Sequence, residues 1–229
     1  FLREALQRRY PDHVGELHRR AARWHLAHDL PEPAFRHAVD GQDVDLAIRI
    51  LETYVQAKLM GGEFKLLQQW LDAIPPAWVA DHPIIGLVRA GLLLFTGQLD
   101  ACVRCAEAVE QRLRAAGEED LSPRLAQVNA IRCSIACFQD DLERAEHYAD
   151  QAVQDLPDGD RFFHAIIYGS LGDTYRRVGQ WEKAKHAYLK LLDFVDGPTF
   201  RLQSAHLYGA LADLYLRQGH LRQADRYWR

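Results

Sequence analysis

Four cysteines fall in two close pairs: Cys102 and Cys105 form C-x-x-C, and Cys133 and Cys137 lie four apart. Two such pairs could supply the thiolates of a tetrahedral zinc site. Of eleven histidines, His13, His18, His25, His28 and His37 gather near the start, and His28 follows His25 at the i+3 spacing that puts two imidazoles on one helix face. That spacing could hold a metal, but no carboxylate or third ligand is fixed beside the pair by sequence alone. A place at the surface or in interhelix packing is the reading adopted for them, with no metal expected. The hydrolytic signatures H-E-x-x-H and G-x-S-x-G are absent, and so is the phosphate-cradling G-x-x-x-x-G-K-[ST]. Asp140-Asp141 and Asp158-Gly159-Asp160 read as helix caps and turn residues, not as paired catalytic acids. The chain is therefore not expected to be an enzyme, nor to carry a cofactor.

The elements that must position these residues are helical. Val128, Ile131, Ile135 and Phe138 recur at three- and four-residue steps, as do Tyr168, Leu171 and Tyr175. No alternating run suggests a strand. Helix breakers recur at short intervals, from Pro11 and Pro31 through Gly61-Gly62, Pro75-Pro76, Gly97, Gly117, Pro157, Gly179 and Gly197-Pro198 to Gly219. The segments between them imply about fourteen antiparallel helices. Hydrophobic residues make up 48% of the 229, ample for a core.

Several turns share one grammar. Gly62-Glu63-Phe64 leads to Leu67, Gly97-Gln98-Leu99 to Cys102, and Asp140-Asp141-Leu142 to Ala145. Gly179-Gln180-Trp181 leads to Ala184, and Gly219-His220-Leu221 to Ala224. Glycine permits the positive φ that ends a helix. The apolar residue seats the turn, and the last residue lies where two helices must come close. These positions recur every 35 to 43 residues, the mark of a stacked helix-pair repeat. Cys102 and Cys133 occupy small-residue positions of that repeat, so a buried apolar role is assigned to them, with zinc as the alternative. Tyr168, Tyr175, Tyr208, Tyr215, Trp181 and Trp228 fall at repeat positions read as core, and Trp24, Trp70 and Trp78 read as core or interhelix wedges.

The two cleanest copies resemble the tetratricopeptide repeat: Tyr168, Leu171-Gly172, Tyr175, Ala184 and Tyr188, then Tyr208, Leu211-Ala212, Tyr215, Ala224 and Trp228. The resemblance implies an all-α fold, an α-α superhelix of antiparallel helix pairs. The N-terminal part resembles a particular family, the MalT-like LuxR-family transcriptional activators. The matching stretches are Leu17 to Ala22 with Trp24, Pro31 to Ala34 with His37-Ala38, Asp43 to Leu51, and "LLQQWLDAIPPAWVADHP" over 66–83. The family resemblance implies residues 1–40 as a helical lead-in from a winged-helix module and 41–229 as a superhelical sensor domain. It implies an ATP-dependent switch of the STAND class, in which an inducer binds the repeat region and the protein self-associates. Neither the nucleotide-binding loop nor a DNA-reading helix occurs in this sequence. The chain begins at Phe1 and stops at Arg229 within a repeat, and a piece of a longer protein is expected.

In tetratricopeptide repeats the first helix of each pair lines the concave surface. By that resemblance the lining residues are Gln127, Ala130 and Ser134, then Asp173, Arg176 and Arg177, then His206, Asp213 and Arg217. Arginine forks suit carboxylates or sugar hydroxyls. The alternative is a solvated face with internal Asp–Arg pairs, for which Asp173 and Arg177 have the i,i+4 spacing. The expected partner is a small-molecule inducer or a regulatory protein; the alternative function is a protein-interaction scaffold with no small ligand.

Charge and hydropathy exclude other classes. The formal net charge is −4, and Asp140, Asp141, Glu143, Glu146, Asp150, Asp155, Asp158 and Asp160 face only Arg144 between 140 and 160. Such a surface repels a nucleic-acid backbone, so no direct nucleic-acid contact is expected. Segment 201–229 is mildly basic but lacks a dense basic stripe. No run approaches the apolar length of a membrane span, and no secretory leader is recognisable, so a cytoplasmic location without membrane contact is expected.

Overall fold

A computed structural model describes residues 11–116, 122–195 and 201–228. Residues 1–10 of the lead-in, the breakers Gly117 and Gly197-Pro198, and Arg229 lie outside the described residues. Among the described residues there are thirteen α-helices and no strand. They are α1 Pro11–Ala27, α2 Pro31–Asp40, α3 Val44–Met60, α4 Phe64–Ala73, α5 Pro76–Asp81, α6 Pro83–Phe95, α7 Leu99–Ala116, α8 Ser122–Phe138, α9 Leu142–Asp155, α10 Arg161–Arg177, α11 Trp181–Leu192, α12 Arg201–Arg217 and α13 Leu221–Trp228. No helix among them is long and apolar enough to cross a membrane.

The helix ends follow from local chemistry. Asp43 and Asp141 each accept a bond from the backbone N–H three residues on, at 3.2 Å, capping α3 and α9. Pro31 and Pro76 open α2 and α5, where a missing N–H costs nothing. The C-terminal ends repeat one motif. Gly62, Gly97, Gly179 and Gly219 have φ between 72° and 78°. In each case the next N–H reaches back to a carbonyl of the last helical turn: Glu63 to Lys58, Gln98 to Leu93, Gln180 to Tyr175 and His220 to Tyr215, all at 2.9 Å. Asp29, Gln42 and Asp140 adopt the same left-handed conformation without being glycine, at φ 55°, 52° and 54°. Their successors close the same bond, Leu30 to His25, Asp43 to Ala38 and Asp141 to Ala136, at 2.9–3.0 Å. The turn grammar therefore extends to two turns, at Asp29 and Gln42, that a search for glycine passes over.

The chain forms two compact units, Phe1–Leu92 and Leu93–Arg229. In the first unit α2, which ends at Asp40, packs against α1, α3 and α4. In the first unit Phe35 stacks on Trp70 with ring centroids 4.6 Å apart, both rings buried. In the second unit α8 pairs with α9, α10 with α11 and α12 with α13, and the pairs stack through α8 on α10 and α11 on α12. That is the packing order of antiparallel helix pairs in an α-α superhelix.

The turn-derived positions Leu67, Cys102, Ala145, Ala184 and Ala224 are all buried, as are Ala90, Cys133, Gly172 and Ala212 in the partner helices. Gly172 shows why size matters there. A Cβ on it would lie 2.5 Å from Cε1 of Tyr188, so the tyrosine ring lies directly against the α10 backbone. Tyr188 and Tyr175 are core residues, as their repeat positions predict. Trp181, Tyr208 and Trp228 are not: they are 39%, 43% and 71% exposed. Trp70 is core, whereas Trp24 is 55% exposed and lies over the His28 ring.

Replacing Gly172 with Ala should cost roughly 1–3 kcal/mol, the usual penalty of overpacking a core. Gly209, also helical, has nothing within 4 Å of an added Cβ. Gly209→Ala should stabilise by about 0.5–1 kcal/mol from helix propensity alone. Urea denaturation of both variants measures the contrast; equal midpoints would mean that the Tyr188 contact places no limit on α10.

Candidate functional site

The polar face of the second unit is built on α10. Asp173 and Arg176 are one turn apart on that helix, and the close approach at Gly172 brings the α11 residue Tyr188 beneath them. The Tyr188 hydroxyl donates to Asp173 Oδ1 at 2.6 Å and accepts from Arg176 Nε at 3.3 Å. Asp173 Oδ1 also lies 3.3 Å from Nε2 of His206, on α12, and 3.9 Å from the Arg176 guanidinium. One buried phenol thus orients a carboxylate and a guanidinium that are both about two-fifths exposed. Burial, and then the bond to Asp173, raise the Tyr188 pKa above that of an ordinary tyrosine, so it stays a neutral donor. Arg176 is held as a cation by its bond to Tyr188, with support from Asp173 and Asp213.

Arg217 extends this face along α12. Its Nε donates to Asp213 Oδ2 at 2.9 Å, and its guanidinium lies 5.2 Å from the centre of the Trp181 ring. An open cleft of about 760 Å³ runs beside it, bounded by Gln180, Trp181, Glu182, Lys183, Leu214 and Gln218. Lys183 is neutralised from α9: Glu146 accepts from its ammonium at 2.8 Å and from the Tyr175 hydroxyl at 2.7 Å. These two bonds, Lys183 first, hold the Glu146 carboxyl below its usual range against a smaller opposing effect of burial.

The residues expected to line one surface separate into groups. Asp173, Arg176, His206, Asp213 and Arg217 come together. Gln127 lies apart, near the start of α8, where it accepts from Arg124 at 3.2 Å and donates to Asp160 at 2.7 Å. Ser134 and Ala130 are fully buried; Ser134 meets Ser170 at 2.9 Å inside the α8–α10 contact and presents nothing to a ligand. Arg177 points to the end of α8, donating to the Cys137 carbonyl at 2.8 Å and to Asp140 at 2.9 Å. The expected Asp173–Arg177 pair gives way to an Asp173–Arg176 pair. Sequence reasoning missed Tyr188, which it named only as a position of the repeat pattern, and Trp181, which it read as core. The signal for Trp181 was its place two residues beyond Gly179, in an exposed turn.

Among the described residues the cysteines do not fall into a cluster of three metal-capable groups. None of the four is in a disulfide, and the one described cluster of three metal-capable groups is His18, His37 and Asp40. Burial, and then Cys105, push the Cys102 thiol up to about 12, where it is no nucleophile. A bond from Cys133 favours the thiolate of Cys137 against its burial, while Cys133 itself is shifted well up. In the polar face, acids and bases are already paired with one another.

No family model matches the chain. It is similar to the HTH-type transcriptional regulator MalT of Serratia proteamaculans (strain 568), with 25% identity over 228 residues, covering 98% of this chain and 25% of that protein. The MalT of Yersinia enterocolitica serotype O:8 / biotype 1B (strain NCTC 13174 / 8081) is 25% identical over 231 residues, with the same coverage. The chain thus spans about a quarter of the length of these curated relatives. Among solved structures, BtubC (BKLC) from P. vanneervenii is 18% identical with a TM-score of 0.48, over 94% of this chain and 87% of that one.

Tyr188→Phe keeps the packed ring and removes the hydroxyl, leaving Asp173 and Arg176 without their shared partner. It should cost about 1–2 kcal/mol in denaturant unfolding, and a loss near zero would show that the phenol does not organise the face. Glu146 sets an acid dependence. Its folded pKa is depressed, so its contribution is present above the unfolded carboxylate pKa and is lost as pH falls through the folded value. The melting temperature of Glu146→Gln should therefore trail the parent at neutral pH and converge with it in acid; a constant gap across that range would rule out the ionised carboxylate as the cause.

Proposed function

We propose that this chain is the helical sensor region of a transcriptional regulator of the MalT kind. An effector held by the polar face of α10 and α12 biases the regulator between inactive and active states. The observation that carries this reading is the alignment with MalT regulators over 98% of the chain. The chemistry of the face supports it: Arg176 and Arg217 offer planar donor forks, Asp173 and Asp213 offer acceptors, and Trp181 offers a ring against which an apolar sugar or aromatic surface can lie. Such a face fits a small polyhydroxylated or carboxylated molecule. Nucleotide switching, self-association and promoter binding then belong to other modules of a cytoplasmic regulator of the LuxR family. The acidic stretch from Asp140 to Asp160 leaves this region out of the DNA contact.

An effector that binds only the folded chain must stabilise it, by about 2.7 kcal/mol at a hundredfold its Kd. Thermal-shift screening against oligosaccharides, sugars and aromatic acids should therefore find a small molecule that raises the melting temperature. Arg176→Ala combined with Arg217→Ala should abolish the shift while the chain stays folded. A shift that survives both changes moves the site elsewhere. If only a protein partner shifts the curve, the region is an interaction scaffold.

A further inference from the structure

Three metal-capable side chains meet where α1 crosses α2, far from the polar face in sequence and in the other compact unit. His18 on α1 and His37 on α2 point Nδ1 at Nδ1, 2.8 Å apart. Asp40, one turn beyond His37, holds its Oδ2 3.8 Å from His18 Nδ1, and all three ligand atoms lie within 4.8 Å of one another. His18 is mostly buried, with 15% of its side chain exposed, whereas the Asp40 carboxylate is 42% exposed and open to water.

From this geometry we infer that His18, His37 and Asp40 form a binding site for a divalent first-row transition metal, best satisfied by Zn²⁺, which clips α1 to α2. Two imidazoles and a carboxylate are a donor set that such ions favour, and water completes the coordination. Two nitrogens bound to one ion at about 2.0–2.1 Å stand about 2.9 Å apart at a right angle and about 3.3 Å apart in a tetrahedron. The 2.8 Å separation is close to the right-angle value and about half an ångström short of the tetrahedral one, so the two rings part and turn slightly to share an ion. Without metal, one ring donates its Nδ1 proton to the other. On binding, that proton moves to Nε2 of the same ring, so both Nδ1 lone pairs face the ion and no net proton is lost from the pair. Asp40 must swing inward, which its exposure permits. The orientation of the His37 ring is fixed by a neighbour: His25 stacks on it at 5.4 Å, nearly parallel at 8°. Ligand rings fixed by their surroundings bind metal more tightly. Arg19, which follows His18 in the chain, is occupied by Glu16 at 3.1 Å and by the Gly41 carbonyl at 3.0 Å.

Calorimetric titration of the chelator-stripped 229-residue chain with Zn²⁺ should show one equivalent bound. Co²⁺ in its place should give visible d–d absorption that Zn²⁺ displaces. His37→Asn and Asp40→Asn should each weaken binding about tenfold or more, while His28→Asn, whose ring bonds to the Trp24 carbonyl instead, should leave it unchanged. Asp40→Asn alters an exposed side chain, so its helix content in chelator should match the parent and its loss of binding is read on a folded chain. Zn²⁺ should raise the melting temperature of the parent and not of these two variants. Absence of stoichiometric binding, or parent-like affinity in both variants, would overturn the site.

Discussion

The fold depends on a single backbone event repeated along the chain: one residue forced to positive φ at the end of a helix. That residue reverses the chain and closes the last carbonyls on the next N–H. Because the closure satisfies groups that a helix end leaves orphaned, each helix stops cleanly and its successor starts within two residues. Seven such turns share this bond, four at glycine and three at Asp29, Gln42 and Asp140. The residues that follow are then in register, and the side chain five positions on is buried. Leu67, Cys102, Ala145, Ala184 and Ala224 are buried for this reason, whatever their chemistry.

The same constraint decides what the cysteines and the aromatic residues do. Cys102 and Cys133 have side chains small enough for the crossing; burial suppresses ionisation of the Cys102 thiol, and the bond to Cys137, then burial, suppresses that of Cys133. At Gly172 the absence of a side chain admits the Tyr188 ring to the α10 backbone, and the hydroxyl emerges beside Asp173 and Arg176. A packing requirement thus becomes a positioning device: a buried ring carries a polar tip to the edge of the core. The exposed face that results is paired internally: Asp173 meets Arg176 and His206, and Asp213 meets Arg217.

Much of the fold was legible without coordinates because the helix-pair signal is local. Periodicity, breakers and turn residues act within a few positions of one another, so the all-helical class, the hairpin turns and the small crossing positions could all be read. The candidate site was legible in part for the same reason. Asp173 and Arg176 share a helix, as do Asp213 and Arg217, and their spacing alone placed each pair on a common face. Ser134 and Arg177 obeyed the same periodicity, yet a neighbouring helix covers one and the end of α8 captures the other.

By itself, the sequence determined where helices begin and end, which residue types sit at their crossings and which short-range pairs share a face. These are consequences of backbone stereochemistry and of a roughly 3.6-residue period, both set by adjacent residues. Only the tertiary structure decided that Tyr188 would join Asp173 and Arg176, that Trp181 would lie open beneath Arg217, and that Asp40 would stand beside His18 and His37. Each of these meetings joins helices whose relative rotation is chosen by packing across the interface. A shift of one ridge against one groove would rotate different side chains into contact, and no pattern within a single helix records that choice.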